Sequence, residues 1–385
     1  MSRRRICVVI GSRANYSSIK SAMIAIAAHP ALELQVVVGA SALLDRYGAV
    51  VSLIEKDGFK PAARVHMLIE GETPATMAKS TGLGLLELPT IFDTISPDIV
   101  LTVGDRFETM ATTLAAAYMN IPIAHTMGGE VSGTIDESIR HAVTKFAHIH
   151  FPASREARER IIRLGERPED VHMVGCPRID LVAGILASKD EGLDSHLFDT
   201  GVGERLDLGK PFVLVSQHPV TTEYGAGEKQ IAATLAAVRE VGLPAVVLWP
   251  NADAGSDDVA RGIRKWRERK LDVGMHFFKN LPVASYVQLM KRTACLIGNS
   301  SSGIREGAFI GTLTVNIGSR QEMRERGTNV IEVPHDKVAI TAAIRRQVAH
   351  GPYASEPIYG DGMAGAKIAE VLSTGRPNVQ KRITY

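Results

Sequence analysis

Cysteine is scarce: Cys7, Cys176 and Cys295 are odd in number and far apart. They fit neither a disulfide framework nor a zinc spacing, and a reducing cytoplasm is the expected setting. Long apolar runs are missing as well. No stretch reaches the roughly 18 residues that a membrane span needs, so no membrane partner is expected. The basic Arg3–Arg5 precede an apolar Ile6–Ile10 that stops at Gly11, too short for the core of a signal peptide. Charge of one sign is not in excess either. The 44 Lys and Arg stand against 42 Asp and Glu, for a net charge of +2. Aromatics make up 5% of the chain. That excludes the dense basic face with aromatic platforms by which proteins hold nucleic acid. The fingerprint G-x-G-x-x-G is also absent from the first loop, which argues against a dinucleotide cofactor.

What is present is enough apolar material, 45% of 385 residues, for two hydrophobic cores. Short β-branched runs alternate with segments of helical period along the whole chain. Strands are expected at Ile6–Ile10, Leu34–Val38, Asp98–Val103, Ile121–His125, His148–Phe151 and Val171–Val174, then at Phe212–Ser216, Ala245–Trp249, Met275–Phe278, Cys295–Ile297 and Leu313–Asn316. Nearly all-apolar strands separated by helices imply parallel sheets covered on both faces. The fold class is therefore α/β, with two doubly wound, Rossmann-like domains, 1–177 and 178–385. The last helix is expected to pack back on the first domain. Ligands of such sheets lie beyond the carboxyl ends of the strands, so two domains facing each other would share a central cleft.

The loops after the strands carry the chemistry. Gly11-Ser-Arg-Ala-Asn leads from a strand into a helix, a place for an anion, with Arg13 as a clamp. Gly104-Asp-Arg puts Asp105 and Arg106 at the end of an apolar strand; a cap or an ion pair would also explain them. In Gly128-Gly-Glu-Val-Ser-Gly-Thr-Ile-Asp-Glu-Ser-Ile-Arg, Thr134 and Glu137 read as a capping box. Asp136 suits the first turn and lies four residues before Arg140. Glu130 precedes the cap and has no helical role. With Asp105 it supplies two carboxylates that could divide acid and base work. Further on, His218 follows a strand, and Asn299-Ser-Ser-Ser-Gly-Ile-Arg-Glu offers hydroxyls and N–H groups to phosphate. There Glu306 could accept the hydroxyls of a ribose, and Arg320 sits on the next loop. His148 and His150 lack a third ligand at metal spacing, so no metal is expected.

Taken together, Gly-Ser-Arg-Ala-Asn-Tyr, Val-Gly-Asp-Arg-Phe-Glu, the block Glu130–His141, Ser-Gln-His-Pro and Gly-Asn-Ser-Ser-Ser-Gly-Ile-Arg-Glu resemble the hydrolysing UDP-N-acetylglucosamine 2-epimerases of sialic-acid pathways. The non-hydrolysing branch reads His-Val-Glu-Ala-Gly-Leu-Arg and Thr-x-His-Arg-Arg-Glu-Asn where this chain reads His125-Thr-Met-Gly-Gly-Glu-Val and Ser216-Gln-His-Pro. The resemblance implies a GT-B architecture and a cofactor-free reaction that gives UDP and free N-acetylmannosamine through a 2-acetamidoglucal. It implies catalytic roles for Asp105, Glu130, Asp136 and His218. It places Arg13, Arg106, Asn251, Ser300, Ser301, Glu306 and Arg320 on the nucleotide sugar. Relatives form dimers or tetramers, so a homo-oligomer is expected. Related sugars, such as diacetylated trideoxy sugars on UDP or GDP, remain open as substrates, as does a GT-B glycosyltransferase.

Overall fold

The computed structural model of the chain describes residues 3–45, 48–70, 73–132, 135–188, 197–250, 255–279 and 281–384. Within them the β-branched runs assemble into two sheets. The first holds β1 (Arg4–Ile10), β2 (Leu32–Gly39), β3 (Pro61–Val65), β4 (Ile99–Val103), β5 (Ile123–Thr126) and β6 (Ile149–Phe151). Its order is β3-β2-β1-β4-β5-β6, parallel throughout. The second holds β7 (Val202–Gly203), β8 (Val213–Ser216), β9 (Ala245–Leu248), β10 (Met275–Phe278), β11 (Cys295–Gly298), β12 (Thr314–Ile317) and β13 (Val330–Val333). Its order is β13-β12-β11-β8-β9-β10-β7, parallel except for β7 at the edge. Every residue of β4, β8, β10, β11 and β12 is buried, as expected of strands covered on both faces. The fold class is α/β, with two Rossmann-like units of the GT-B kind. Among the described residues no helix is long and apolar enough to cross a membrane.

Strand order places the ligand loops. In the first sheet the chain winds outward from β1 on one side and from β4 on the other, so the switch point lies between the loops after β1 and β4. In the second sheet it lies between the loops after β8 and β11. There β11 ends on Gly298 at φ 135°, where a Cβ would collide with the Ser216 carbonyl of β8. Only glycine lets the two strand ends approach so closely.

The first compact unit gathers Met1–Val131, Ile135–Leu181 and Tyr359–Tyr385; the second centres on Val182–Ile358. The main seam thus falls after Leu181, four residues beyond the expected 177. The helix Pro177–Ala187 begins before it. The last helix, Ala364–Thr374, belongs to the first unit, where the Asp180 carboxylate accepts from the Ala364 and Gly365 amides at 2.9 and 2.7 Å. Those amides are orphan donors of a helix start, and a carboxylate also suits the positive end of the dipole.

Three expectations change. Val171–Val174 is not a strand: only Val171 bridges to His150, and Gly175 then turns the chain at φ 93°. The helix expected from Ser17 begins earlier, as Arg13–Ser17 and then Lys20–Ala28, because Ser12 accepts the Asn15 amide at 3.2 Å and caps it. Strands β3, β7 and β13 are not among the expected ones, although Val330-Ile-Glu-Val of β13 is itself a β-branched run. The first starts on a proline at an edge, β7 has two residues, and β13 is half-exposed.

Candidate active site

In the first unit the loops after β1, β4 and β5 are tied together by side chains. Asn15 accepts from the Gly11 amide at 3.2 Å and donates to the Val103 carbonyl at 3.3 Å, joining the ends of β1 and β4 across the switch point. Arg13, first residue of its helix, is exposed beside it. Arg106, rather than Asp105, is the N-cap of the helix Phe107–Tyr118, and it makes no side-chain cap. Its Nε donates to Glu108 at 3.1 Å. Glu108 is buried in the first turn of that helix. It passes in the sequence for an ordinary dipole partner, and only its burial reveals that it holds Arg106.

Asp105 is half-buried and salt-bridged to Arg140 of the helix Ile135–Phe146. Sequence spacing pairs Arg140 with Asp136, four residues earlier; the guanidinium also reaches Asp105, 35 residues away. Its other nitrogen donates to the Glu130 carbonyl at 2.7 Å. Arg140 is 2% exposed and Glu130 4%. A buried cation is stable only when paired and hydrogen-bonded, and these two partners meet that need. Asp136 lies in the first turn of the same helix. Glu137 pairs with His141 at 3.7 Å. Its expected cap partner Thr134 lies outside the described residues.

Below these loops sits His125, wholly buried at the end of β5. Its Nε2 meets the Gly104 carbonyl at 2.9 Å, so that nitrogen carries the proton. Burial pushes the ring down to about 3, against the pull of that hydrogen bond. A neutral ring thus braces the residue before Asp105. The two histidines considered for a metal, His148 and His150, have structural partners. His150 meets Glu166 at 3.1 Å; His148 accepts the Ile123 amide and meets the Val379 carbonyl.

In the second unit the loops after β8, β11 and β12 converge on Asn299, a residue that sequence reasoning passed over. Its Oδ1 accepts the His218 amide at 2.7 Å and its Nδ2 donates to the His218 carbonyl at 2.9 Å. Its own carbonyl accepts from Arg320 at 3.2 Å and Gln321 at 3.0 Å. His218 and Arg320 are thereby brought to one node. Burial, with the Arg320 charge beside it, pushes the His218 ring down to about 3, so it stays neutral. The serine loop is internally linked: the Tyr286 hydroxyl lies 2.6 Å from Ser302 Oγ, which lies 2.8 Å from Ser300 Oγ. Ser301 is half-exposed. Glu306, read from sequence as an acceptor for ribose hydroxyls, is 3% exposed in the first turn of Arg305–Ile310. Asn251 lies outside the described residues. Each unit thus presents charged and hydroxyl groups at its switch point, as a doubly wound enzyme of nucleotide-linked substrates does.

Solved structures with this fold include the UDP-GlcNAc 2-epimerase of Neisseria meningitidis bound to UDP-GlcNAc. It superposes with a TM-score of 0.80 over 96% of this chain and 99% of that one, at 16% identity. The UDP-GlcNAc 2-epimerase of Methanocaldococcus jannaschii gives 0.77 over 96% and 100%, at 15% identity. In sequence, the family model for UDP-N-acetylglucosamine 2-epimerase matches residues 24–373, and the chain belongs to that family. Its relatives include the UDP-N,N'-diacetylbacillosamine 2-epimerase (hydrolyzing) of Legionella pneumophila, 31% identical over 96% of each chain. The UDP-N-acetylglucosamine 2-epimerase of Neisseria meningitidis is 28% identical over 98% of each.

Proposed function

We propose that the chain is a hydrolysing 2-epimerase that converts UDP-N-acetylglucosamine and water to UDP and free N-acetylmannosamine. The observation that carries this reading is the Asp105–Arg140–Glu130 array, which ties two carboxylate residues from adjacent strand ends to one buried cation. The C2 proton of the sugar is unactivated, so its removal must accompany departure of the diphosphate. One carboxylate takes that proton as the C1–O bond breaks; UDP leaves with the bonding pair, and a 2-acetamidoglucal remains. Water then bonds to C1 and gives up a proton to a carboxylate, while a protonated carboxyl delivers a proton to the opposite face of C2. Two faces need more than one acid/base group, and Asp105, Glu130 and Asp136 are the candidates. Ser300, Ser301, Glu306 and Arg320 of the second unit are the candidates for the nucleotide, and Arg13 and Arg106 of the first for an anion; cations favour the growing charge of a departing diphosphate. His218, neutral and buried, serves as a hydrogen-bonding group rather than a cation.

A second substrate, a UDP-linked 2,4-diacetamido-trideoxy sugar, is favoured by the name and identity of the Legionella relative. Incubation in D2O with each UDP sugar, followed by NMR, tests both. The expected products are UDP and a free sugar of manno configuration with deuterium at C2. Manno sugar still attached to UDP would establish the non-hydrolysing reaction instead, and gluco sugar on an acceptor a glycosyltransferase.

A further inference from the structure

We infer that Arg160, which lies outside the motifs quoted above, is a positioning residue for Glu130. This rests on the catalytic reading of Glu130 given above. Arg160 sits on the helix Arg155–Arg163, whose start is capped by Ser154. Its guanidinium donates to the carbonyl of Gly129. The next carbonyl along the chain, that of Glu130, accepts from Arg140 at 2.7 Å. Two arginines from two helices therefore grip two consecutive carbonyls. These belong to the peptide planes on either side of the Glu130 Cα. Fixing both planes fixes φ and ψ of Glu130, and with them the direction in which its side chain leaves the backbone.

The loop rests directly on the helix that carries Arg160. Gly129 has φ 75°, and a Cβ there would collide with the Ala157 carbonyl and crowd Ile161. Glycine gives the close approach but leaves the backbone soft, and the carbonyl clamp supplies the missing stiffness. The Glu156 carboxylate, 3.8 Å from Arg160, does not replace this role: it is half-exposed and on the same helix. Such surface pairs contribute little. A displacement on the order of 1 Å of a reacting group can lower turnover about 100-fold, so a loosened Glu130 should be seen in kcat.

The test uses the full chain and whichever of the two UDP sugars the wild type turns over, with Arg160→Ala, Arg160→Lys, Glu130→Gln and the Arg160→Ala/Glu130→Gln pair. Arg160→Ala should lower kcat about 10- to 100-fold, with KM moved less than about twofold. Arg160→Lys keeps the charge and one donor, and should recover part of the loss; it also serves if the alanine variant fails to fold. In the Glu130→Gln background, Arg160→Ala should cost nothing further. If the two effects multiply, or Arg160→Ala and Arg160→Lys turn over like the wild type, Arg160 does not act through Glu130. If Glu130→Gln itself turns over normally, the catalytic reading of Glu130 fails first, which separates the two failures.

Discussion

The Arg140 guanidinium is bound to the Asp105 carboxylate across 35 residues of chain, with the arginine side chain 3% exposed and the aspartate 26%. Removing one partner of a buried pair strands the other charge, which typically costs about 3–5 kcal/mol. Arg140→Met should therefore lower both Tm and turnover, the latter by about 100-fold or more, as when a key electrostatic donor is lost. Arg140→Lys keeps the charge but loses the two-pronged geometry. It should fold better than the methionine variant and still lose turnover. Thermal melts and kcat measured side by side decide; a lysine variant of wild-type activity would remove the fork from the argument.

A second charge cluster, built on buried Glu166 and away from the proposed chemistry, should contribute to the response of stability to acid. Glu166 accepts from His150 at 3.1 Å, from Lys145 at 2.6 Å and from Lys381 at 2.6 Å. Burial pushes its carboxyl up, but these hydrogen bonds outweigh burial and hold it down at about 2. A depressed carboxylate stabilises the fold above its unfolded pKa, and that stability is lost as pH falls through the folded value. Burial likewise lowers His150, so its unfolded form binds a proton first and acid again disfavours the fold. Urea denaturation of wild type and Glu166→Gln should differ most above about pH 5, where the unfolded carboxyl is ionised. The gap should shrink steadily toward about pH 2. A gap that is flat with pH would show that Glu166 does not contribute as a carboxylate.

The strand–loop–helix rhythm was open to reading because parallel strands buried on both faces spell themselves in Val, Ile and Leu. β4, β8 and β11 are of this kind. The edge strand β3, Pro-Ala-Ala-Arg-Val, buries less and spells less. The candidate loops stood out for a related reason: Asp105, Ser300 and Arg320 interrupt apolar strand ends, where charge and hydroxyls serve no packing. What escaped were connections through space. Arg140 looks like a helix-surface residue by spacing, and nothing local joins it to Asp105. Asn299, between a buried strand and three serines, reads as part of a turn, although its side chain pairs with the backbone of His218, 81 residues away. Arg160 looks like a solvated charge on a charged helix, and Glu108 like a dipole partner at the start of an otherwise uncharged one. Only tertiary packing turns them inward.

The serine loop depends on a hydroxyl chain that begins outside it. Tyr286, on the helix Val283–Arg292, meets Ser302, which meets Ser300. Tyr286→Phe keeps the ring and its packing but releases Ser302 to rotate. One hydrogen bond of this kind is worth about 0.5–1.5 kcal/mol. UDP affinity by calorimetry should therefore weaken about 2- to 12-fold, while kcat at saturating substrate holds. An unchanged affinity would mean that the loop is ordered without the tyrosine.

Asn299 offers a sharper test of how the second unit builds its site. The side chain is fully buried and uses one donor and one acceptor on the two backbone groups of His218. Asn299→Asp has nearly the same shape, but it sets a second acceptor against the His218 carbonyl where a donor stood. A buried polar group left without its partner costs about 1–3 kcal/mol, and more when charged. Asn299→Ala removes both bonds and leaves the two backbone groups to find water. The aspartate variant should thus be no more stable than the alanine variant at pH 7, despite the better fit of its side chain. Acid should narrow that difference, because a protonated carboxyl regains a donor for the His218 carbonyl. Both variants should bind UDP more weakly, since His218 and Arg320 meet at this residue. An aspartate variant as stable as wild type at neutral pH would show that the asparagine side chain does not hold the two loops together.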